Sequence, residues 1–322
     1  MTLALGVDGG NSKTIAVLAT ADGSIVGSGR GGCTDLYNAA SPAIAIEEIE
    51  RVVRAALASA DAQPSDVSVS AFSLAGVDWP EDFALMHEEL TRRLALRRPP
   101  TILNDAVGAI RCGTADGVGV AAVCGTGGVT GARGRDGQVF HLGFWPDGSG
   151  GGFMGDQALR AVWRAALGTA PQTTLTERAL HRFGATDPID LLHLFTRRGG
   201  LPESHRALLA PAVLDEAAAG DPVANGIARR AAVTLAGQAR VAAERAGLSG
   251  SSYPLVLAGG VFRHPSDLIA RLVAEGVPDG TPVRARFEPA IAALLTAFDG
   301  AGVDADEERL QASMPAAELF AT

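Results

Sequence analysis

The sequence predicts an α/β protein built from two similar domains. Three observations carry that expectation. Short apolar runs alternate with longer amphipathic stretches, so strands and helices alternate along the chain. A pattern of strand, glycine turn, strand, Asp-Gly turn and strand occurs twice, offset by roughly 115 residues. The chain has 322 residues, 47% of them hydrophobic, which is enough for two cores.

The first copy opens with the apolar run Leu3–Val7, a buried strand. Asp8-Gly9-Gly10-Asn11-Ser12-Lys13-Thr14 is a tight turn, and Ile15–Ala19 resumes the strand pattern. Asp22-Gly23 is a hairpin signal leading into a third strand, Ser24–Ser28. Pro42–Ala60 has helical periodicity, with Ser41 as N-cap and Pro42 at the first helical position. Val67–Leu74 alternates like a strand and Pro80–Leu96 reads as a second helix. Thr101–Leu103 is a short strand ending at Asn104-Asp105, and a helix begins at Ala106.

The second copy runs through the strand Val118–Val123 and the glycine turn Cys124-Gly125-Thr126-Gly127-Gly128. The strand Val129–Arg133, the turn Asp136-Gly137 and the strand Gln138–Leu142 complete it. Helices are expected at Asp156–Leu167, Leu175–Phe183, Pro188–Thr196 and Pro222–Ala246, the last with Asp221 as N-cap and Gly247 closing it. Leu255–Leu257 reads as a buried strand running into Ala258-Gly259-Gly260-Val261-Phe262. Val283–Arg286 is a last strand and Pro289–Phe298 a last long helix. The acidic, alanine-rich tail from Asp304 reads as a surface helix or partly ordered end.

Composition narrows the function classes. The net charge is −9 and no basic patch is visible, so nucleic acid is not an expected partner. No apolar run approaches the roughly 18–20 residues that span a bilayer, and Met1–Val7 lacks the basic n-region of a signal peptide. Cys33, Cys112 and Cys124 form no close pair, so a disulfide framework or zinc site is not expected and a cytoplasmic location fits. The basic residues are 26 arginines and one lysine, and that lysine, Lys13, lies inside the first glycine turn.

A phosphate needs several backbone N–H donors pointing into one concavity, and glycine lets the backbone come close. Gly9-Gly10 and Gly125-Thr126-Gly127-Gly128 meet this need, and Ser12, Thr14, Thr126 and Thr130 add hydroxyls. Asp8 would repel a bare phosphate but suits one approached through Mg²⁺. Either turn alone is also an ordinary hairpin; two at matching places in a repeat, with Gly259-Gly260 as a third, point to a nucleotide. The chain has no Gly-Lys dipeptide and no G-x-G-x-x-G opening a helix after a strand, so P-loop and Rossmann readings are weak.

Gly6–Thr14 resembles the first phosphate motif of the acetate kinase, sugar kinase, heat-shock chaperone and actin superfamily. Val123–Gly127 resembles its second phosphate motif, and Leu257–Phe262 its adenosine motif. Within it the chain is most similar to the BadF/BadG/BcrA/BcrD-type group that includes N-acetylglucosamine and glucosamine kinases. The resemblance implies two ribonuclease H-like domains of the actin-like ATPase fold, at 1–107 and 108–322, with ATP in the cleft between them. The helix near 289–300 would pack on the first domain. Gly9, Gly10, Asn11, Ser12, Lys13, Thr14, Gly125, Thr126, Gly127 and Gly128 would surround the phosphates, and Gly259, Gly260, Val261 and Phe262 the adenosine. Asp8 would hold Mg²⁺ through water.

Phosphoryl transfer to a hydroxyl needs a carboxylate that accepts the hydroxyl proton. Asp105 follows a buried strand at a helix start; by residues alone it serves equally as base or N-cap. The resemblance matches Leu103–Ala106 to the segment of the catalytic aspartate. It also implies sugar contacts from Thr34, Asp35, Asn104, Trp145 and Asp147. Asp35 stands where the group usually has Asn; aspartate cannot donate, which would favour a free amine on the sugar. Asp147 matches the first acid of a Gly-Asp-Glu-Gly-Ser-Gly loop, but Pro146 and Gly148 depart from it. Surface-loop roles for Asp35 and an interdomain turn around Trp145 stay open. His141 and His264 read as ordinary polar residues. The expected function is ATP-dependent phosphorylation of an amino sugar at O6, N-acetylglucosamine before glucosamine, and a homodimer is compatible with it. A dehydratase-activating ATPase would need cluster-spaced cysteines, which are not seen, and a non-catalytic sugar or nucleotide sensor would not need Asp8 and Asp105.

Overall fold

A computed structural model describes residues 3–143 and 148–320. The first sheet contains β1 (Leu3–Gly9), β2 (Thr14–Thr20), β3 (Ile25–Gly31), β4 (Val67–Leu74) and β5 (Thr101–Asn104), in the order β3-β2-β1-β4-β5. The second contains β6 (Gly119–Cys124), β7 (Gly128–Arg133), β8 (Val139–Leu142), β9 (Tyr253–Ala258) and β10 (Gly280–Arg284), in the order β10-β9-β6-β7-β8. Read from opposite ends, the two orders coincide. In each, the first strand is central, its two successors lie to one side and the later strands to the other. The duplicated sequence pattern is therefore a duplicated sheet, and the two-part α/β architecture expected from it is present.

The helices are α1 (Pro42–Ser59), α2 (Pro80–Leu94), α3 (Asp105–Gly108), α4 (Gly150–Ala166), α5 (Leu175–Phe183) and α6 (Pro188–Thr196), then α7 (Ala210–Ala218), α8 (Pro222–Arg245), α9 (Leu268–Gly276), α10 (Pro289–Ala301) and α11 (Glu307–Ala312). The chain divides into two compact units. One holds the chain up to Gly119, Arg135–His141 and everything from Ala285; the other holds Val120–Gly134 and Leu142–Arg284.

In the first unit both faces of the sheet are covered. Leu3, Leu5 and Val7 of β1 and Ala16 and Leu18 of β2 join one core with Ile46, Ile49, Val53 and Met86 from α1 and α2. The alternate residues Ala4, Ile15, Val17 and Ala19 join a second core with Ile291, Leu294 and Phe298 of α10. This two-sided burial is why β1 and β2 read as continuous apolar runs and do not alternate. Gly6 sits where α10 crosses β1: a Cβ there would lie 2.3 Å from the backbone nitrogen of Leu294. The tail is more ordered than its composition suggests, because Leu310 of α11 and Phe320 are buried in this second core.

In the second unit α8 presents an alanine-rich face, Ala224, Ala228, Ala231, Ala232, Ala236 and Ala239, all buried. Asp221 caps it as expected, accepting from the amides of Val223 and Ala224 at 2.8 Å each. α4 starts at Gly150, six residues before the sequence pattern placed it. Glycine propensity argues against a helix there, but tertiary contacts override it. Gly150 has φ +90°, and a Cβ on it would lie 2.4 Å from the carbonyl carbon of Gly127. Three small residues let the start of α4 sit directly on the second glycine turn.

Candidate active site

β1, β4 and β5 run parallel, with Leu74 beside Gly9 and Asn104 beside Leu74. Their C-terminal ends open on one edge of the first sheet, where open α/β sheets bind ligands. β2 starts at the same edge and β3 ends there, with Thr14 between Gly9 and Gly31. Asp8, the first glycine turn, the loop after β3, the loop after β4 and Asp105 are therefore neighbours, although 97 residues separate Asp8 from Asp105 in sequence.

The first turn is closed by the Gly10 amide donating to the Lys13 carbonyl at 2.9 Å. Its tip residues, Asn11 and Ser12, are exposed. Lys13 donates to the backbone carbonyl of Phe320. Thr14 and Thr34 were expected at the ligand surface, but both are fully buried. Their hydroxyls bond each other at 2.8 Å, and that of Thr14 also donates to the Gly32 carbonyl at 2.8 Å. They tie the turn to the loop after β3. A hydroxyl at the end of a strand is drawn inward when a partner hydroxyl lies across the hairpin.

Asp105 is the first residue of α3, but it is not the cap. Asn104 is the N-cap: its Oδ1 accepts from the Ala106 amide at 3.0 Å. The same amide donates to Asp105 Oδ1 at 2.8 Å. The Asp105 carboxyl is half-buried and is pushed up to about 6, chiefly by burial and further by the carboxylate of Asp35, while the Ala106 amide opposes the shift. Asp8 is pushed up to about 7 by burial and then by Asp105 and Glu288, with Lys13 pulling the other way.

Asn104 was expected to touch the sugar, yet its side chain is turned to the protein. Its Nδ2 donates to Asp78 Oδ1 at 2.9 Å and to the Val77 carbonyl at 3.3 Å. Asp35 likewise organises its own loop. Its Oδ1 accepts from the amides of Tyr37 at 2.9 Å and Asn38 at 3.3 Å, and its Oδ2 from Asn38 Nδ2 at 2.8 Å.

Asp78 is the acid that sequence reading missed. It is half-buried and pushed up to about 7, by burial first and then by Asp105, Asp35 and Asp82. The missed signal was positional: Asp78 follows the buried strand β4 as Asp105 follows β5. Trp145 and Asp147 lie outside the described residues. His141 meets the Asp78 carbonyl at 3.2 Å, and His264 lies 3.2 Å from Asp215, both in local polar contacts.

In the second unit, β6 and β9 run parallel, with Val123 beside Ala258, so the second glycine turn and Gly259-Gly260 leave the sheet side by side. Gly259 has φ +98°, and a Cβ on it would lie 2.4 Å from the Cys124 carbonyl oxygen. The carbonyls of Gly125 and Thr126 accept from the amides of Gly151 and Gly152, at 2.8 Å each. Those helix-start amides are satisfied by the turn. A Cβ on Gly125 or Gly127 would meet nothing within 4 Å, so the opposite face of the turn is open. Among the described residues the amides of Thr126 and Gly127 donate to no protein acceptor. These are the donors a phosphate needs. Thr130, Val261 and Phe262 are buried.

Among the described residues no three His, Cys, Asp or Glu side chains are placed to hold a metal ion. One carboxylate, Asp8, with waters and phosphate oxygens suits Mg²⁺, which takes few protein ligands. Cys112 and Cys124 are buried and Cys33 is partly exposed.

The chain is similar to N-acetyl-D-glucosamine kinase of Dictyostelium discoideum, 27% identical over 310 residues that cover 92% of this chain and 97% of the relative. It is also similar to N-acetylmuramic acid/N-acetylglucosamine kinase of Clostridium acetobutylicum, at 24% identity over 82% of this chain and 87% of that one. In fold it matches a Chromobacterium violaceum protein provisionally assigned as an N-acetylglucosamine kinase, with TM-score 0.69, 23% identity and coverage of 92% and 98% of the two chains. The BadF/BadG/BcrA/BcrD ATPase family model matches residues 5–297, a span that takes in both glycine turns, Asp105 and Gly259-Gly260. The chain belongs to the BadF/BadG/BcrA/BcrD ATPase family.

Proposed function

We propose that the protein is an ATP-dependent kinase of an amino sugar, with N-acetylglucosamine the first candidate acceptor, glucosamine the second, and O6 the hydroxyl phosphorylated. The observation that carries this reading is the state of Asp105. Its helix is capped by Asn104, so its carboxyl is not required as a cap, and its pKa of about 6 suits a general base near neutral pH. The names borne by the relatives supply the acceptor class.

In this reading, the tip amides of the first turn and those of Thr126 and Gly127 bind phosphate oxygens. Asp8 would hold Mg²⁺ through water, and the bound metal would supply charge neutralisation at the phosphates. Asp105 orients the acceptor hydroxyl and takes its proton as the oxygen attacks the γ-phosphorus. Asp35 acts on acceptor choice through the shape of the loop it organises. No described helix is long and apolar enough to cross a membrane, and a sugar and ATP together are met in the cytoplasm.

An ADP-release screen over hexoses, amino sugars and their N-acetyl forms tests the proposal. The expected result is sugar-dependent release that is fastest with an amino sugar. Release that is indifferent to added sugar, or fastest with a neutral hexose, would refute it.

A further inference from the structure

We propose that Asp78 is a positioning residue for Asp105, acting through the side chain of Asn104. The inference rests on Asp105 serving as the base. The connection is a continuous hydrogen-bonded path. Asn104 Nδ2 donates to Asp78 Oδ1 at 2.9 Å, and Asn104 Oδ1 accepts from the Ala106 amide at 3.0 Å. That amide is shared with Asp105 Oδ1 at 2.8 Å. The side chain that caps α3 is thus oriented at one end by Asp78, and at the other it shares a donor with the base.

Asp78 is itself held on both sides. Its own amide and that of Trp79 donate to Asp82 Oδ2, at 3.1 and 2.8 Å. The Tyr37 hydroxyl reaches the same carboxylate, at 3.0 Å from Oδ2. The turn leading to Asp78 passes through Gly76, at φ +73°, where a Cβ would lie 2.6 Å from Asp35 Oδ1. The loops after β3, β4 and β5 are therefore locked together, and Asp78 is where the lock reaches the base.

The chemistry explains an acid at this place. In its ionised form a carboxylate acceptor makes a charge-assisted bond, roughly twice as strong as a neutral one. Asn104 is an amide whose two ends could exchange by a ring-like flip of its side chain; a carboxylate, which only accepts, fixes Nδ2 towards Asp78 and Oδ1 towards Ala106. Without it, only the Val77 carbonyl at 3.3 Å holds Nδ2, the cap on the Ala106 amide loosens, and the hydrogen bond that this amide shares with Asp105 Oδ1 changes its geometry.

The test measures kcat and both KM values for the full chain, with Mg·ATP and the amino sugar that gives the fastest ADP release. Asp78→Ala should lower kcat about 10- to 100-fold, the size expected from misplacing a catalytic group, with KM for ATP unchanged. Asp78→Asn keeps an acceptor oxygen and should recover at least about tenfold of that loss. Thermal melts of both variants report folding, and the asparagine variant serves if the alanine one does not fold. An asparagine variant as impaired as the alanine one, or an effect confined to either KM, would overturn the inference. Asp105→Asn is the reference. If it retains turnover, the base assignment fails and takes this inference with it. If it loses turnover while Asp78→Ala keeps it, the positioning role alone fails.

Discussion

Asp105→Asn separates what the carboxylate does for catalysis from what it costs the fold. The substitution is isosteric and keeps an oxygen for the Ala106 amide, now 2.8 Å from Asp105 Oδ1, so α3 should start as before. Loss of a general base lowers kcat by about 10²- to 10⁴-fold. Stability should move the other way. The folded pKa is raised from 3.8 to about 6. The charged form is therefore disfavoured in the folded state: the penalty is absent below the unfolded value, grows as pH rises through the folded one, and is constant above it. At about 1.4 kcal/mol for each pH unit, the ceiling is about 3 kcal/mol, and partial solvent access reduces this to about 1–2 kcal/mol. That corresponds to a rise of about 2–8 °C in the melting temperature of a domain of this size. Melts of wild type and variant at about pH 8 and about pH 3 measure the difference, which should be present at the first and nearly vanish at the second. A variant that melts lower at both, or equally stabilised at both, would refute the burial argument. Undiminished turnover would refute the base assignment.

Three further outcomes are expected. Asp8→Ala should raise the Mg²⁺ concentration for half-maximal ADP release by at least about tenfold, since one carboxylate is the protein's share of the site; an unchanged Mg²⁺ titration would remove Asp8 from metal binding. Asp35→Asn would place an amide nitrogen where the carboxylate now receives Asn38 Nδ2 at 2.8 Å. It should therefore loosen the loop and alter the ratio of kcat/KM for N-acetylglucosamine and glucosamine, and an identical ratio would detach this loop from acceptor choice. Gly6→Ala would drive a methyl to within 2.3 Å of the Leu294 nitrogen. Overpacking of this kind costs about 1–3 kcal/mol or more, so denaturant melts should show a lower midpoint; an unchanged midpoint would mean that α10 yields freely.

The parts of the molecule that follow local rules were legible from sequence. Ser41 caps α1 through the Ile44 amide, and Asp221 caps α8, as their positions before Pro42 and Pro222 implied. The repeat was legible because each copy carries its own turn chemistry, down to Gly23 and Gly137 at positive φ after an aspartate. Illegible features were those decided by partners distant in sequence. The early start of α4 depends on carbonyls some 26 residues before it, at Gly125 and Thr126. Thr14 and Thr34 carry the right hydroxyls, but each supplies the other's partner, and that withdraws both from the surface. The resemblance made Asn104 a sugar contact; only the meeting of β4 and β5 reveals that Asp78 holds its amide.

The placement of acids has a physical logic that neither the sequence motif nor any single contact displays. β1, β4 and β5 each end in or run into an aspartate at the same sheet edge: Asp8, Asp78 and Asp105. All three have their carboxyls pushed up, to about 7, about 7 and about 6, with burial the first cause each time. A fold selected for stability alone would not collect like charges where water is scarce. The second sheet edge is the converse. There the strands run into glycines, and the open feature is a row of amide donors at Thr126 and Gly127. The first unit thus carries acids that take up a proton or a cation beside its own glycine turn, and the second carries amides that take up an anion. Phosphoryl transfer to a hydroxyl requires both chemistries.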